Sequence, residues 1–265
     1  MNKTPILPVI LGLAAVFALC AGLGPDSRAQ FQMSRAEIEN FLRNAQIVSV
    51  KKEEIAGRTA AWDITLRKGD VVQRAVFKHV NFSRPTLLPD SYTYELAAYE
   101  MDKLLDWNRV PPAVKRTIEG ITGSLQIRIE DCIPLDEQRR RNIPPPDPDA
   151  LEKSLEEIAV FENLVYCERK ELDDILIHMD DWKVCRVDFS EAFSPTPDLI
   201  PEHLISRCSR KLYNNLKSLE EETIRARLSR WLNPEEIQAL VARKILIIKT
   251  LEKLIEKKGE KAVLF

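Results

Sequence analysis

Three acidic residues, Glu168, Asp174 and Asp188, fall close together in the stretch FENLVYCERKELDDILIHMDDWKVCRVDFSEAF, residues 161–193. Carboxylates on a loop and at a strand end are hard oxygen donors, suited to Mg²⁺ or Mn²⁺ bridging phosphate groups. Without a divalent cation they would repel a triphosphate. Upstream, Ala75-Val76-Phe77-Lys78 sets a lysine among apolar neighbours. Such an ammonium can hold phosphate oxygens as a point charge. Glu95 follows on a helical pattern and can aim that ammonium by pairing with it; Glu100 is a second candidate on another face. The chemistry these residues could perform together is phosphoryl transfer. Each also has a plainer reading: a snorkelling sheet-edge lysine and a solvated acidic loop. A phosphate-cradling loop is almost missing, since Ala56-Gly57-Arg58-Thr59 offers one glycine. His79, His178 and His203 are scattered without a partner pattern and read as structural. No serine elbow or glycine-rich dinucleotide fingerprint is present.

The elements that must position these residues can be read from periodicity. Ser34-Arg35-Ala36-Glu37 is a capping box that opens a short helix with Ile38, Phe41 and Leu42 on its apolar stripe. Residues 45–50, 58–66 and 71–80 read as three antiparallel strands, with Lys68-Gly69-Asp70 as a turn. Residues 91–106 carry helical spacing through Leu96, Tyr99, Met101, Leu104 and Leu105. Residues 114–118 and 124–129 read as further strands. The stretch 131–149 holds Pro134, Pro144, Pro145, Pro146 and Pro148 and reads as a connector or flap. A helix over 150–165 then leads into a polar loop, 167–174. Strands at 175–178 and 182–187 follow, joined by the Asp180-Asp181 turn, with Asp188 at their exit. Asn233-Pro234-Glu235-Glu236 starts a last long helix to about Lys258. The expected class is α+β: a β-rich lobe over 30–131, a connector over 132–149 and a helical lobe over 150–265.

The chain has 265 residues, 45% hydrophobic and 30% charged, with a formal charge of -2. That composition is ordinary for a globular protein and gives no field that would favour nucleic acid or an anionic membrane. Residues 1–29 read as an export signal: Lys3, an apolar run from Ile6 to Leu19, and Ser27-Arg28-Ala29 before the cleavage point. The rivals are an uncleaved anchor, because residues 4–25 carry no charge, and lipid attachment at Cys20, which the bulk of Leu19 disfavours. Membrane attachment through residues 4–25 is expected only if that segment is retained, and all three readings place the domain outside the cytoplasm, periplasmic or secreted. Cys132, Cys167, Cys185 and Cys208 then remain; a Cys167–Cys185 pair and four unpaired thiols both stay open.

Three segments, taken in order, carry a family resemblance: AGRTAAWDITLRKGD with RAVFKHV; SYTYELAAYEMDKLL with VPPAVKRTIEG and GSLQIRI; and IAVFENLVYCERKELDDILI with WKVCRVDFSEAF. Together, over about 35–193, they resemble the atypical kinases related to the secretory-pathway (Golgi casein-type) kinases and the phosphatidylinositol 3-/4-kinase clan. The nearest likeness is to small bacterial extracytoplasmic members. The resemblance implies a two-lobed kinase-like fold binding ATP with Mg²⁺ or Mn²⁺. Lys78 would be the phosphate lysine and Glu95 its helix partner. Gly57 would lie in the phosphate loop, and Gln126 would open the strand leading to the adenine hinge. Glu168 would be the catalytic base, and Asp174 and Asp188 the metal ligands. Such kinases carry Asp-Arg where this chain has Glu168-Arg169, and Asn where it has Asp174; Cys167 also replaces a frequent Asn. A shift of about 1 Å can cost on the order of 10²-fold in rate. The resemblance therefore leaves two functions open: phosphoryl transfer to an unknown acceptor, or a silent pseudokinase that binds a partner protein.

Overall fold

The computed structural model describes residues 33–52, 61–82, 89–168 and 171–265. The export-signal segment and Gly57 lie outside them. Helix α1 (Arg35–Asn44) starts at the expected capping box: the Ser34 side chain accepts from the Glu37 amide, and Glu37 reaches back to the Ser34 amide at 2.7 Å. Strands β1 (Gln46–Lys52), β2 (Ala61–Lys68) and β3 (Val71–Lys78) form an antiparallel meander. After the short strands β4 (Asn81–Phe82) and β5 (Asp90–Ser91), helix α2 spans Tyr92–Leu104. Strands β6 (Ala113–Ile118) and β7 (Ile121–Ile127) complete a five-stranded sheet ordered β1-β2-β3-β7-β6. Alternation in β2 buries Trp62, Ile64 and Leu66 against Ile38, Phe41 and Leu42 of α1, with Ala75, Phe77 and Leu125 in the same cluster. Full burial of each large side chain contributes roughly 1.5–3 kcal/mol.

The proline-rich stretch is partly regular. Strand β8 (Cys132–Pro134) and helix α3 (Leu135–Arg140) fall within it, and β8 pairs with the hairpin downstream. Asp147 caps helix α4 (Pro148–Val165) by accepting from the Ala150 amide at 3.1 Å. A 3₁₀ turn, Leu172–Asp174, precedes strands β9 (Ile175–His178) and β10 (Val184–Arg186), giving a three-stranded sheet ordered β10-β9-β8. Helices α5 (Arg210–Ser218), α6 (Glu221–Leu228), α7 (Pro234–Lys258) and α8 (Glu260–Val263) finish the chain. Helix α7 begins at the Asn233 and Glu236 capping box, as the sequence predicts. Phe161, Leu164, Phe189, Phe193, Leu212, Leu240 and Leu251 share one core with Tyr94, Leu96 and Met101 of α2. Helix α2 is therefore buried against both layers. The result is a mixed α+β molecule, a small antiparallel sheet lobe beside a helical lobe, consistent with a kinase-like two-lobe fold. No helix among the described residues is long and apolar enough to cross a membrane.

Candidate active site

Lys78 is the last residue of β3 and lies on the sheet face opposite Phe77. Its register partner is Ser124, and Val76 pairs with Gln126, so Lys78 and Gln126 share a face. The close approach of β7 at this point needs a glycine. A Cβ at Gly123 would lie 2.2 Å from the Lys78 carbonyl oxygen and 2.8 Å from the Phe77 ring. Glu95 sits in the first turn of α2, whose start is fixed by Ser91: its hydroxyl accepts from the Thr93 amide at 3.2 Å. The Ser91 amide in turn donates to the Ser190 carbonyl at 2.7 Å, tying the helix start to the segment just past Asp188.

The hairpin places the two aspartates. Ile175 pairs with Arg186, and the Val187 amide donates to the Asp174 carbonyl at 3.0 Å. Asp174 and Asp188 thus flank the same end of the β9–β10 ladder. Asp188 has φ of 62°, a left-handed conformation that aspartate tolerates better than most residues. Its Oδ1 accepts from the Ser190 hydroxyl at 3.1 Å. Helix α4 ends at Tyr166, also left-handed at φ of 52°. The Phe193 amide donates to the Val165 carbonyl at 2.6 Å, so the two ends of the loop–hairpin unit meet.

Three of the sequence-predicted residues converge. The Lys78 ammonium lies 2.6 Å from Glu95 Oε1 and 2.8 Å from Asp188 Oδ1. The Lys78 side chain is 14% exposed and that of Asp188 44%, so the group opens to solvent on the Asp188 side. Burial disfavours the Lys78 ammonium, but Glu95 and Asp188 outweigh it and hold its pKa above the ordinary value. Burial also pushes Glu95 up, with Lys78 pulling against it. Asp188 is held well below the carboxylate range: burial opposes its charge, and Lys78 and then Arg186 overcome that penalty. Asp174 goes the other way, pushed up to about 7 by burial, with Asp188 adding to it and Arg186 opposing.

The remaining predicted residues fare differently. Glu168 is exposed after α4, while Lys78, Asp174 and Asp188 lie beside the buried Glu95 and Arg186. The Gln126 amide donates to the Pro111 carbonyl at 3.2 Å. Glu100 faces away from Lys78 and meets Lys103, Arg227 and Arg230. His203 is buried 3.2 Å from Glu162, and His178 lies 2.8 Å from Asp181. Cys132, Cys167, Cys185 and Cys208 are all free thiols, so the Cys167–Cys185 alternative is not realised. Burial pushes Cys167 up to about 12 and Cys185 up to about 11, which leaves both as inert thiols. A cavity of about 140 Å³ lined by Arg35, Ile38, Arg109, Ile127 and Cys185 does not include Lys78, Glu95 or Asp188.

Sequence reasoning missed the groups behind the aspartates. Arg186 is fully buried, donating from Nε to Glu162 Oε1 at 2.9 Å and lying 3.4 Å from Asp174 Oδ2. The available signal was an arginine inside the otherwise apolar run Val184-Cys185-Arg186-Val187. The donor chemistry of Asp174 and Asp188 fits Mg²⁺ or Mn²⁺, which use one or two carboxylates and keep several waters. Glu171 and Asp173 bring carboxylate oxygens within 4.8 Å of that of Asp174.

This architecture places the chain among proteins of kinase-like fold. It is similar to the crystal structure of a Helicobacter pylori proinflammatory kinase, CtkA, with a TM-score of 0.51 and 8% identity, over 83% of this chain and 98% of that one. It also overlaps the complete CtTel1 dimer with C2 symmetry (TM-score 0.42, 14% identity) and the open conformation of CtTel1 (TM-score 0.40, 14% identity). Each of these two overlaps spans 77% of this chain and 12% of the other. No protein-family model and no curated protein matches the chain.

Proposed function

We propose that this protein is an ATP-dependent phosphotransferase working outside the cytoplasm, within the wider group of atypical kinases its sequence resembles. The observation that carries this reading is the Lys78 ammonium held between Glu95 and Asp188 at 2.6 and 2.8 Å. Lys78 would hold the α- and β-phosphate oxygens, and Glu95 keeps the ammonium aimed. The strand through Gln126 would lead the chain toward the adenine hinge, and Gly57 is the phosphate-covering candidate that the sequence offers. Asp174 and Asp188 would hold Mg²⁺ or Mn²⁺, which supplies neutralising charge to the phosphate oxygens. The acceptor hydroxyl oxygen bonds the γ-phosphorus as the bridging oxygen departs with ADP, and the hydroxyl proton passes to Glu168.

One observation favours a second reading. Glu168 is exposed and stands where the resembling kinases carry Asp, which suits a pseudokinase that binds nucleotide and a partner protein without transfer. A single experiment separates the two. The protein is incubated with γ-labelled ATP and Mn²⁺ or Mg²⁺, and thermal stability is followed in parallel, for wild type and Asp188→Ala. Transfer, to an acceptor or to the protein itself, that vanishes in the variant supports the phosphotransferase. Stabilisation by Mn²⁺–ATP without transfer supports the pseudokinase. Label transfer surviving Asp188→Ala excludes the site.

A further inference from the structure

Position 174 carries Asp where the resembling kinases carry Asn, and the structure supplies a reason. Arg186 is 0% exposed, in the middle of the core beneath the site. Its guanidinium donates to Glu162 Oε1 at 2.9 Å, to Cys167 Sγ at 3.4 Å and to the Val187 carbonyl, and lies 3.5 Å from the Asp188 carbonyl. The same Nη1 reaches Asp174 Oδ2 at 3.4 Å. An arginine has donors only, so at this separation an oxygen at 174 is attracted to the guanidinium and an NH₂ group is repelled. A carboxylate has two such oxygens and can give one to the guanidinium and one outward. An amide has a single oxygen: turned toward Arg186, it would leave its NH₂ group facing the cation.

We infer that Arg186 is a positioning residue that makes a carboxylate, rather than an amide, the required ligand at position 174. This inference rests on the phosphotransferase reading of the site. The Glu162 side chain, itself 3.2 Å from His203, anchors the guanidinium from behind. The Asp at 174 and the Arg at 186 are thus one device, and replacing either alone breaks it.

The test measures Mn²⁺ uptake, with and without ATP, by the loss of the free Mn²⁺ resonance in electron paramagnetic resonance. Asp174→Asn is isosteric and keeps the fold, which thermal unfolding verifies. It should bind Mn²⁺–ATP on the order of tenfold more weakly, although it installs the residue the resembling kinases use. Arg186→Met with Glu162→Gln, added to Asp174→Asn, removes the guanidinium and the acid it would strand. This triple variant should recover to within about threefold of wild type, because the amide oxygen is released to the cation. Asp174→Asn binding as tightly as wild type overturns the inference, and so does a folded triple variant no better than Asp174→Asn alone. Asp188→Ala is the reference: wild-type binding lost there, with Asp174→Asn unaffected, rejects the inference and leaves the phosphotransferase reading standing. No Mn²⁺–ATP uptake by wild type rejects both.

Discussion

At the scale of single residues, the site sets two aspartates in opposite electrostatic states. Asp188 shares the Lys78 ammonium and stays ionised; its stabilising effect is lost progressively as pH falls below the ordinary carboxylate range, about 4, and is gone once pH has fallen through its depressed folded pKa. Asp174, 18% exposed, is pushed up to about 7 mainly by burial. The folded state then keeps a proton that the unfolded chain has already released. The contribution of Asp174 to metal-free stability therefore falls as pH rises from about 4 to about 7, by on the order of a few kcal/mol. Asp174→Asn should remove that slope: in chelator, its unfolding free energy relative to wild type should be clearly higher at pH 7.5 than at pH 4.5. A difference that stays constant across this range would show that the proton is not bound in the folded state. Lys78, Glu95 and Asp188 were legible in the sequence because each sits on a simple local pattern, a strand end or a helix first turn. Arg186 was not, because one arginine in the short, otherwise apolar run Val184–Val187 gives no clue that its partners, Glu162 and Asp174, lie on a helix and a loop.

At the scale of elements, β3 and β7 meet where Lys78 must be held, and Gly123 sets the spacing. Gly123→Ala forces a Cβ to within 2.2 Å of the Lys78 carbonyl oxygen, which backbone cannot relieve cheaply. A cost of about 1–3 kcal/mol is expected from such overpacking. Thermal unfolding should show that loss, and Mn²⁺–ATP should stabilise the variant less than wild type. Unchanged stability would mean that the strands separate there freely. The capping box at Ser34, the helix start at Asn233 and the alternation in β2 were readable because local hydrogen bonds and burial decide them. Strand β8 was hidden in the proline-rich stretch, because its pairing with β9 is a long-range contact that three residues of sequence cannot announce.

At the scale of the whole molecule, α2 fastens the sheet lobe to the helical lobe. The Tyr94 hydroxyl donates to Glu236 of α7 at 2.6 Å, and Glu100, nearly buried, meets Arg227 and Arg230 of the α6 region. Glu100→Gln should lower the unfolding free energy by about 1–3 kcal/mol and speed hydrogen exchange in both α2 and α6; exchange altered in α2 alone would show that the contact does not couple the lobes. The two-lobe plan was visible in the order of strand-like and helix-like segments. The depth of α2 in the second core was not, because nine consecutive buried residues, including Glu95, Glu100 and Asp102, look amphipathic when read as a sequence. This shared helix also constrains how such a protein can evolve by recombination. A lobe exchanged wholesale between relatives would bring a foreign helix into a cavity shaped for another, so the two halves must diversify in concert.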